Sequence, residues 1–442
     1  MTEEAADQES ITTGLARRAK DVFPDARLTA ADTRPFPLVL DRGAGDRIYD
    51  VEGAEYLDFH LSSGALVLGH GHPGVLQAVR RQVDQGFNFG AMNRAAIDLG
   101  ERIIDAVPSI ENLKFTVSGT EATLHAIRLA RTATGRDLIV RFEGAYHGHL
   151  DMVSLSSKMK GLTVADSGEM PDVRAIADCD GIPEAIIGTC LVAPFNNSAR
   201  LEEIFAVYGQ RIACVIMEPL QRFIEPAPGF LHSVRALTRQ HGSLLVFDEI
   251  VTGFRLAPGG AQQLYGVEPD LTCMGKIIGA GFPNGAIGGS RALMQDLFGP
   301  NATKTSYLAG TFAGHPVAAA GGAATLAALA EAGSYERLNE LGDRLRKGVT
   351  QAFSNTGVAG RVYCPGGMFH LSMTRHEITD GRSGLHEDHR ARTLLWNALL
   401  RRKIHITGGR GFVSLQHSEA TIDAFIDRFE DSLNEIKGQI DD

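Results

Sequence analysis

Little in this chain is set aside for cross-links, metal sites or membranes. Only five of its 442 residues are cysteine (Cys179, Cys190, Cys214, Cys273, Cys364), an odd number with no CxxC spacing. That pattern excludes a disulfide framework and a zinc ribbon, and it reads as reduced, mostly core residues of a cytoplasmic protein. The single tryptophan, Trp396, lies on the helical apolar pattern of RTLLWNALL and reads as core. No dense Lys/Arg run occurs and the net charge is −10, which argues against a nucleic-acid surface. The longest uncharged helical stretch, residues 317–330, is too short and too rich in alanine and glycine to span a bilayer. The first ten residues, MTEEAADQES, are acidic and polar and lack the pattern of a secretory signal.

What remains is an ordinary globular composition, 44% hydrophobic and 22% charged, with fifty glycines for tight turns and close backbone approaches. The length predicts two domains in one compact unit. Strand-like runs stand at LKFTV (113–117), DLIVRF (137–142), CLVAPF (190–195), IACVIME (212–218), LLVFDE (244–249) and GAIGGS (285–290). Helical patterns such as TEATLHAIRLARTATG and FLHSVRALTRQHG separate several of them. Runs that are apolar nearly throughout suit strands covered on both faces, so an α/β architecture with a largely parallel sheet is expected. This large domain is placed at residues 80–325. An α+β C-terminal domain (326–442) is expected from an amphipathic helix at 335–353, strands at GGMFHLSM and GFVSLQ, and a closing helix at TIDAFIDRFEDSLNEI. Residues 1–79, with strands at PLVL and RIYDVEGAEYLDF, are expected to pack with it.

Three features carry chemistry. In TVSGTEATLHAIRLAR, a strand ends and Ser118-Gly119-Thr120 turns into a helix, which suits either a phosphate cradle or a plain helix cap. In LLVFDEIVTGFR, Asp248 and Glu249 end an apolar strand at the edge where open α/β sheets bind ligands. In DLTCMGKIIGAGFPNGAIGG, Lys276 has no acidic residue within five positions on either side. A lysine in such a run either reaches the surface or is wanted inside, where an apolar site lowers its pKa and makes the amine a nucleophile. Together, a phosphate cradle, a strand-end aspartate and a half-buried lysine are what pyridoxal phosphate requires.

The blocks SGTEATLHAIRLARTATGRDLIVRFEGAYHGHLD, LLVFDEIVTGFR, GGAQQLYGVEPDLTCMGKIIGAGFPNGAIGG and AGTFAGHP resemble the class III (fold type I) pyridoxal-phosphate aminotransferases over about residues 35–435. Within them the similarity is to the subgroup containing glutamate-1-semialdehyde aminomutase and the β-phenylalanine aminotransferases. The resemblance implies a mostly parallel seven-stranded sheet with a smaller α+β domain. It implies Lys276 as the residue that carries the cofactor as an imine and moves the proton, and Asp248 as the partner of the ring nitrogen. Ser118, Gly119 and Thr120 would bind the phosphate, Tyr146 and Ile250 would pack on the two ring faces, and Glu218 and Gln221 would lie beside the cofactor. Thr311 would reach the phosphate of a neighbouring subunit's cofactor, which requires a homodimer with composite active sites. His147, His149 and Asp151, like His70 and His72, fall in glycine-rich loops and are read as turn and site-wall residues, with no metal expected.

The substrate is read from fewer residues. The aminomutases' N-terminal block is missing, and Arg410 stands directly before Gly-Phe-Val in ITGGRGFVSLQ, as in the β-phenylalanine aminotransferases. A guanidinium on a glycine-flanked loop can swing and pair a carboxylate bidentately. Arg27, with Arg34 as fallback, is the candidate for a second carboxylate contact. The expected reaction is ping-pong transamination between a β- or ω-amino acid and a keto acid such as 2-oxoglutarate or pyruvate. The alternative is a glutamate-1-semialdehyde 2,1-aminomutase type of isomerase. The fold also serves ligand-sensing domains fused to DNA-binding modules, but residues 1–34 are short for such a module. Residues 153–189 match nothing in the family and suggest a flap over the site.

Overall fold

The computed structural model describes residues 10–25, 37–159, 161–165 and 173–440. Arg27 and Arg34 lie outside the described residues, as does part of the expected flap. The first strands, β1 (Leu40–Ala44), β2 (Arg47–Asp50) and β3 (Glu55–Asp58), form an antiparallel meander. Of the expected PLVL strand only Leu40 belongs to β1.

The central sheet is built from β4 (Asn112–Thr116), β5 (Leu138–Phe142), β6 (Cys190–Ala193), β7 (Ile212–Met217), β8 (Leu244–Asp248), β9 (Leu271–Met274) and β10 (Gly285–Gly289). Its order is β4-β10-β9-β8-β7-β5-β6. Only β10 runs against its neighbours; the other pairings are parallel. This is the expected seven-stranded, mostly parallel α/β sheet. Strands β5, β6, β7 and β9 are buried at every position, which is why they read as unbroken apolar runs. Helices Gly119–Thr134 and Phe230–His241 pack on the sheet.

Beyond it, β11 (Arg361–Tyr363), β12 (Met368–Ser372) and β14 (Arg410–Phe412) make a three-stranded sheet. The two-residue β13 (Ile404–His405) pairs in parallel with β3, so chain ends far apart in sequence share one sheet. The strand expected at GFVSLQ stops at Phe412, because Val413 and Leu415 turn their amides to the carbonyls of Gly367 and Val67. Helices Ser334–Thr356 and Glu419–Ile440 cover this region, and one apolar core runs from Phe59, Leu99 and Ile278 to Leu345, Phe425 and Ile436. Trp396 is buried there and donates to the Ile406 carbonyl at 2.8 Å. No single described helix is both long and apolar enough to cross a membrane.

Candidate active site

Strands β4, β8 and β9 end at the same edge of the sheet, and the chemistry stands on the residues that follow them. After β4, Ser118 caps the helix Gly119–Thr134: its Oγ accepts from the Glu121 amide at 3.2 Å, while Glu121 Oε2 accepts from the Val117 amide at 2.9 Å. This reciprocal capping box uses up Ser118 and Glu121 and leaves the first-turn amides of Gly119 and Thr120 without a helical acceptor. Ser118 therefore caps the helix and does not line the cavity described below.

Asp248 is the last residue of β8 and is 4% exposed. One carboxylate oxygen meets His147 Nδ1 at 2.8 Å, and the other accepts from the Ile250 amide at 3.1 Å. His147 is fully buried, and its Nε2 finds no partner among the described residues. Ile250 lies against two glycines: a Cβ at Gly119 would stand 2.5 Å from Ile250 Cδ1, and one at Gly275 would stand 3.2 Å from Cγ2. A side chain at Gly119 would displace Ile250, and one at Gly275 would crowd it.

After β9 and Gly275, Lys276 opens a short turn in the left-handed region, with φ of +48°. Such strain is held only where the surroundings over-determine it, and it clusters at functional sites. Burial lowers the Lys276 pKa below the usual lysine value; Asp248 acts against this, and Arg222 reinforces it.

A cavity of about 650 Å³ joins these groups. Gly119, Thr120, Tyr146, Glu218, Asp248, Ile250, Lys276 and Arg410 all line it. Glu218 accepts from the Tyr146 amide at 3.0 Å, and Thr120 Oγ1 lies 3.2 Å from His149 Nδ1. Its apolar wall includes Phe223, Met368, Phe369 and Phe412. Besides Ser118, two expected residues do not line it. Gln221 is buried behind Glu218 in the chain and donates through Nε2 to the Glu143 carbonyl at 2.7 Å. Thr311 is exposed, and its carbonyl accepts from Asn88 at 2.9 Å.

Sequence reasoning missed several residues at the cavity. His147 is expected from the sequence only as a turn or site-wall residue; it stands outside the cavity lining, and its contact with the strand-end acid gives it a role. Arg222 lines the cavity with its guanidinium 4.9 Å from the Tyr146 ring centroid, and only its proximity to Glu218-Pro219 could have flagged it. His60 and Ser63 also line it, Ser63 on a left-handed run from Leu61 to Gly64 and His60 directly before that run. Asp58 ties that run down, accepting from the His60 and Leu61 amides and meeting His405 and His70 at 2.9 and 2.7 Å. Burial alone would raise the Asp58 pKa, but these histidine bonds outweigh it and hold the carboxyl far below the usual range.

A lysine, an acid held by a buried imidazole and a helix start around one cavity define a fold type I pyridoxal-phosphate enzyme. The chain belongs to the class III aminotransferase family, whose sequence pattern matches residues 28–433. It is 39% identical over 406 residues to a glutamate-1-semialdehyde 2,1-aminomutase of Aquifex aeolicus, covering 90% of this chain and 93% of that one. Among solved structures it resembles an omega-transaminase from Sphaerobacter thermophilus (33% identity, TM-score 0.91, 98% and 99% of the two chains). It also resembles a β-phenylalanine aminotransferase from Variovorax paradoxus (30% identity, TM-score 0.83, 97% and 94% covered). Pyridoxal phosphate is the cofactor of this family.

Proposed function

We propose that the protein is a transaminase that moves an amino group between a carboxylate-bearing β- or ω-amino acid and a keto acid such as 2-oxoglutarate or pyruvate. The observation that carries this reading is the meeting of Lys276, Asp248, the free amides of Gly119 and Thr120, and Arg410 on one cavity. The residues fit the cofactor. The glycine at 119 keeps the helix start open, and Ile250 offers a flat apolar face held between Gly119 and Gly275. When bound, pyridoxal phosphate supplies an electron sink for the pair left when a C–H bond beside the amine is broken.

The protein's own groups do the rest. The first-turn amides hold the phosphate with the positive end of the helix dipole. Asp248, kept in place by His147, holds a proton on the ring nitrogen. Lys276, with its pKa lowered by burial, would take the proton from the amine-bearing substrate carbon and return it on the far side of the amine nitrogen. Arg410 presents a guanidinium to the substrate carboxylate. Glu218 holds the Tyr146 backbone amide, and Tyr146 and Ile250, both lining the cavity, would pack on the cofactor ring.

Thr311 is assigned to the partner's cofactor phosphate in a homodimer. The exposed apolar side chains Phe87, Phe89, Met92, Tyr307 and Phe312, on segments before and around Thr311 and the Asn88 that holds it, support such an interface. The cysteines, free and mostly buried, support a cytoplasmic setting.

A second reading, an aminomutase acting on glutamate-1-semialdehyde, is favoured by sequence similarity, since the Aquifex aeolicus relative carries that name. Purified enzyme mixed with 3-aminobutyrate or β-phenylalanine and 2-oxoglutarate separates the two. Glutamate formation is expected. Its absence with every β-amino acid, together with turnover of glutamate-1-semialdehyde without a free keto acid, would make the second reading correct.

A further inference from the structure

Arg222 sits where a turn of its kind normally places glycine. Gln221 and Ile224 exchange both backbone hydrogen bonds, at 3.0 and 2.8 Å, and close a tight turn with Arg222 and Phe223 at its tip. Arg222 takes φ of +63°, the left-handed value that favours glycine at the first tip position of such a turn. A bulky residue held there against its preference is an outlier that asks for a function.

Its surroundings supply one. The guanidinium rests on the Tyr146 ring, and its nearest carboxylate oxygen, Glu218 Oε2, is 3.9 Å from Nε and already accepts from the Tyr146 amide. Among the described residues no acceptor lies within hydrogen-bond distance of Arg222, and its Nε is buried. Arg410 approaches the same cavity from β14, with its guanidinium 5.9 Å from the Phe223 ring centroid. No carboxylate pairs with it within 4.0 Å among the described residues. Arg410 is exposed to solvent at the cavity, and the charges of Arg222 and Arg392 both disfavour its own. The Phe223 ring that Arg410 faces is itself held by stacking on His370 at 3.8 Å. Arg222 lies on the Tyr146 side and is close enough to Lys276 to depress its pKa, whereas Arg410 lies on the Phe223 side.

Two guanidiniums over different rings of one cavity, neither held by a hydrogen bond among the described residues and Arg222 only loosely facing Glu218, match two carboxylates. We infer that Arg222 and Arg410 divide a dicarboxylic amino or keto acid between them, Arg222 holding the carboxylate next to the reacting carbon and Arg410 the distal one. This rests on the transaminase reading and names its acceptor class: a five-carbon dicarboxylic keto acid is preferred over pyruvate. A substrate with one carboxylate would leave one guanidinium unmatched.

The test uses holoenzyme of the wild type, Arg222→Gln, Arg222→Lys and Arg410→Gln. Its acceptors are 2-oxoglutarate, 2-oxopentanoate (proximal carboxylate only) and 4-oxobutanoate (distal carboxylate only). Loss of a charged hydrogen-bond partner predicts KM increases of roughly 10- to 100-fold. Arg222→Gln is expected to raise KM for 2-oxoglutarate and 2-oxopentanoate and to spare 4-oxobutanoate, with partial recovery in Arg222→Lys. Arg410→Gln is expected to spare 2-oxopentanoate instead. In parallel, calorimetric binding of glutarate, an unreactive dicarboxylate, is expected to weaken in both variants. Unchanged KM and glutarate affinity in Arg222→Gln would overturn the inference, as would equal losses on all three acceptors. Should the wild type transaminate nothing while glutarate binding still depends on both arginines, the transaminase reading fails and the dicarboxylate site stands.

Discussion

Replacing His147 with leucine isolates the contact on which Asp248 depends. The two groups are 0% and 4% exposed, and the imidazole Nδ1 lies 2.8 Å from the carboxylate. With histidine gone, Asp248 keeps only the Ile250 amide at 3.1 Å. A hydrogen bond to a charged group contributes about 1.5–3 kcal/mol, and a buried acid left short of partners costs a similar amount. If that loss falls on the transition state, where Asp248 must be ionised and in place, kcat/KM drops roughly 10- to 150-fold. The half-reaction of holoenzyme with an amino donor, followed through cofactor absorbance, reads this directly. Urea unfolding reads the share that falls on stability. His147→Gln, whose amide can donate to the same oxygen, should recover part of the rate. A leucine variant within twofold of wild type in kcat/KM, with unchanged unfolding free energy, would show the contact to be idle and refute the reasoning.

In the cofactor-free protein the lowered pKa of Lys276 makes stability depend on pH. Between that lowered value and the ordinary lysine value of 10.5 the unfolded chain binds more protons, so stability rises with pH across this window. Lys276→Met lacks this slope; parallel denaturation curves for the two proteins from neutral pH to pH about 10 would contradict it. Gly119→Ala places a Cβ 2.5 Å from Ile250 Cδ1. It should cost about 1–3 kcal/mol and weaken cofactor retention on dialysis, and Ile250→Val in the same chain should restore part of both.

The layout of the sheet was legible because its strands are buried on both faces, and burial writes itself as apolar runs. The four-residue β9 was seen only as an apolar stretch before Lys276, too short to separate from a buried helix by periodicity. Arg141 shows the limit of such reading. It sits inside β5, fully buried, and feeds the Ala145, Val153 and Leu155 carbonyls that shape the wall around Tyr146. In sequence it looks like a break in a hydrophobic strand. On the cofactor side, the residues that line the cavity follow strand ends directly, so local motifs carried their positions. Ser118 and Gln221 lie within two residues of lining positions but spend their side chains on Glu121 and Glu143. Adjacency in sequence does not decide which way a side chain turns. Arg222 was invisible for a related reason: its direction comes from a left-handed turn that no composition or spacing announces.

That asymmetry bears on the choice between transaminase and isomerase. Identity of 39% spread over 406 residues is dominated by what fills most of the chain, namely core strands, packing helices and the cofactor cradle. Both chemistries need these equally, because both break the bond beside the amine with the same lysine and the same ring. The difference lies in what the pocket must admit. An isomerase of a semialdehyde handles one carboxylate and keeps its substrate throughout. A transaminase must release one acid and receive another through the same door. Two guanidiniums facing one cavity of about 650 Å³, neither held by a hydrogen bond among the described residues, offer places for two carboxylates where a semialdehyde brings one. The handful of residues that distinguish the two reactions therefore weigh more in this decision than the several hundred that do not.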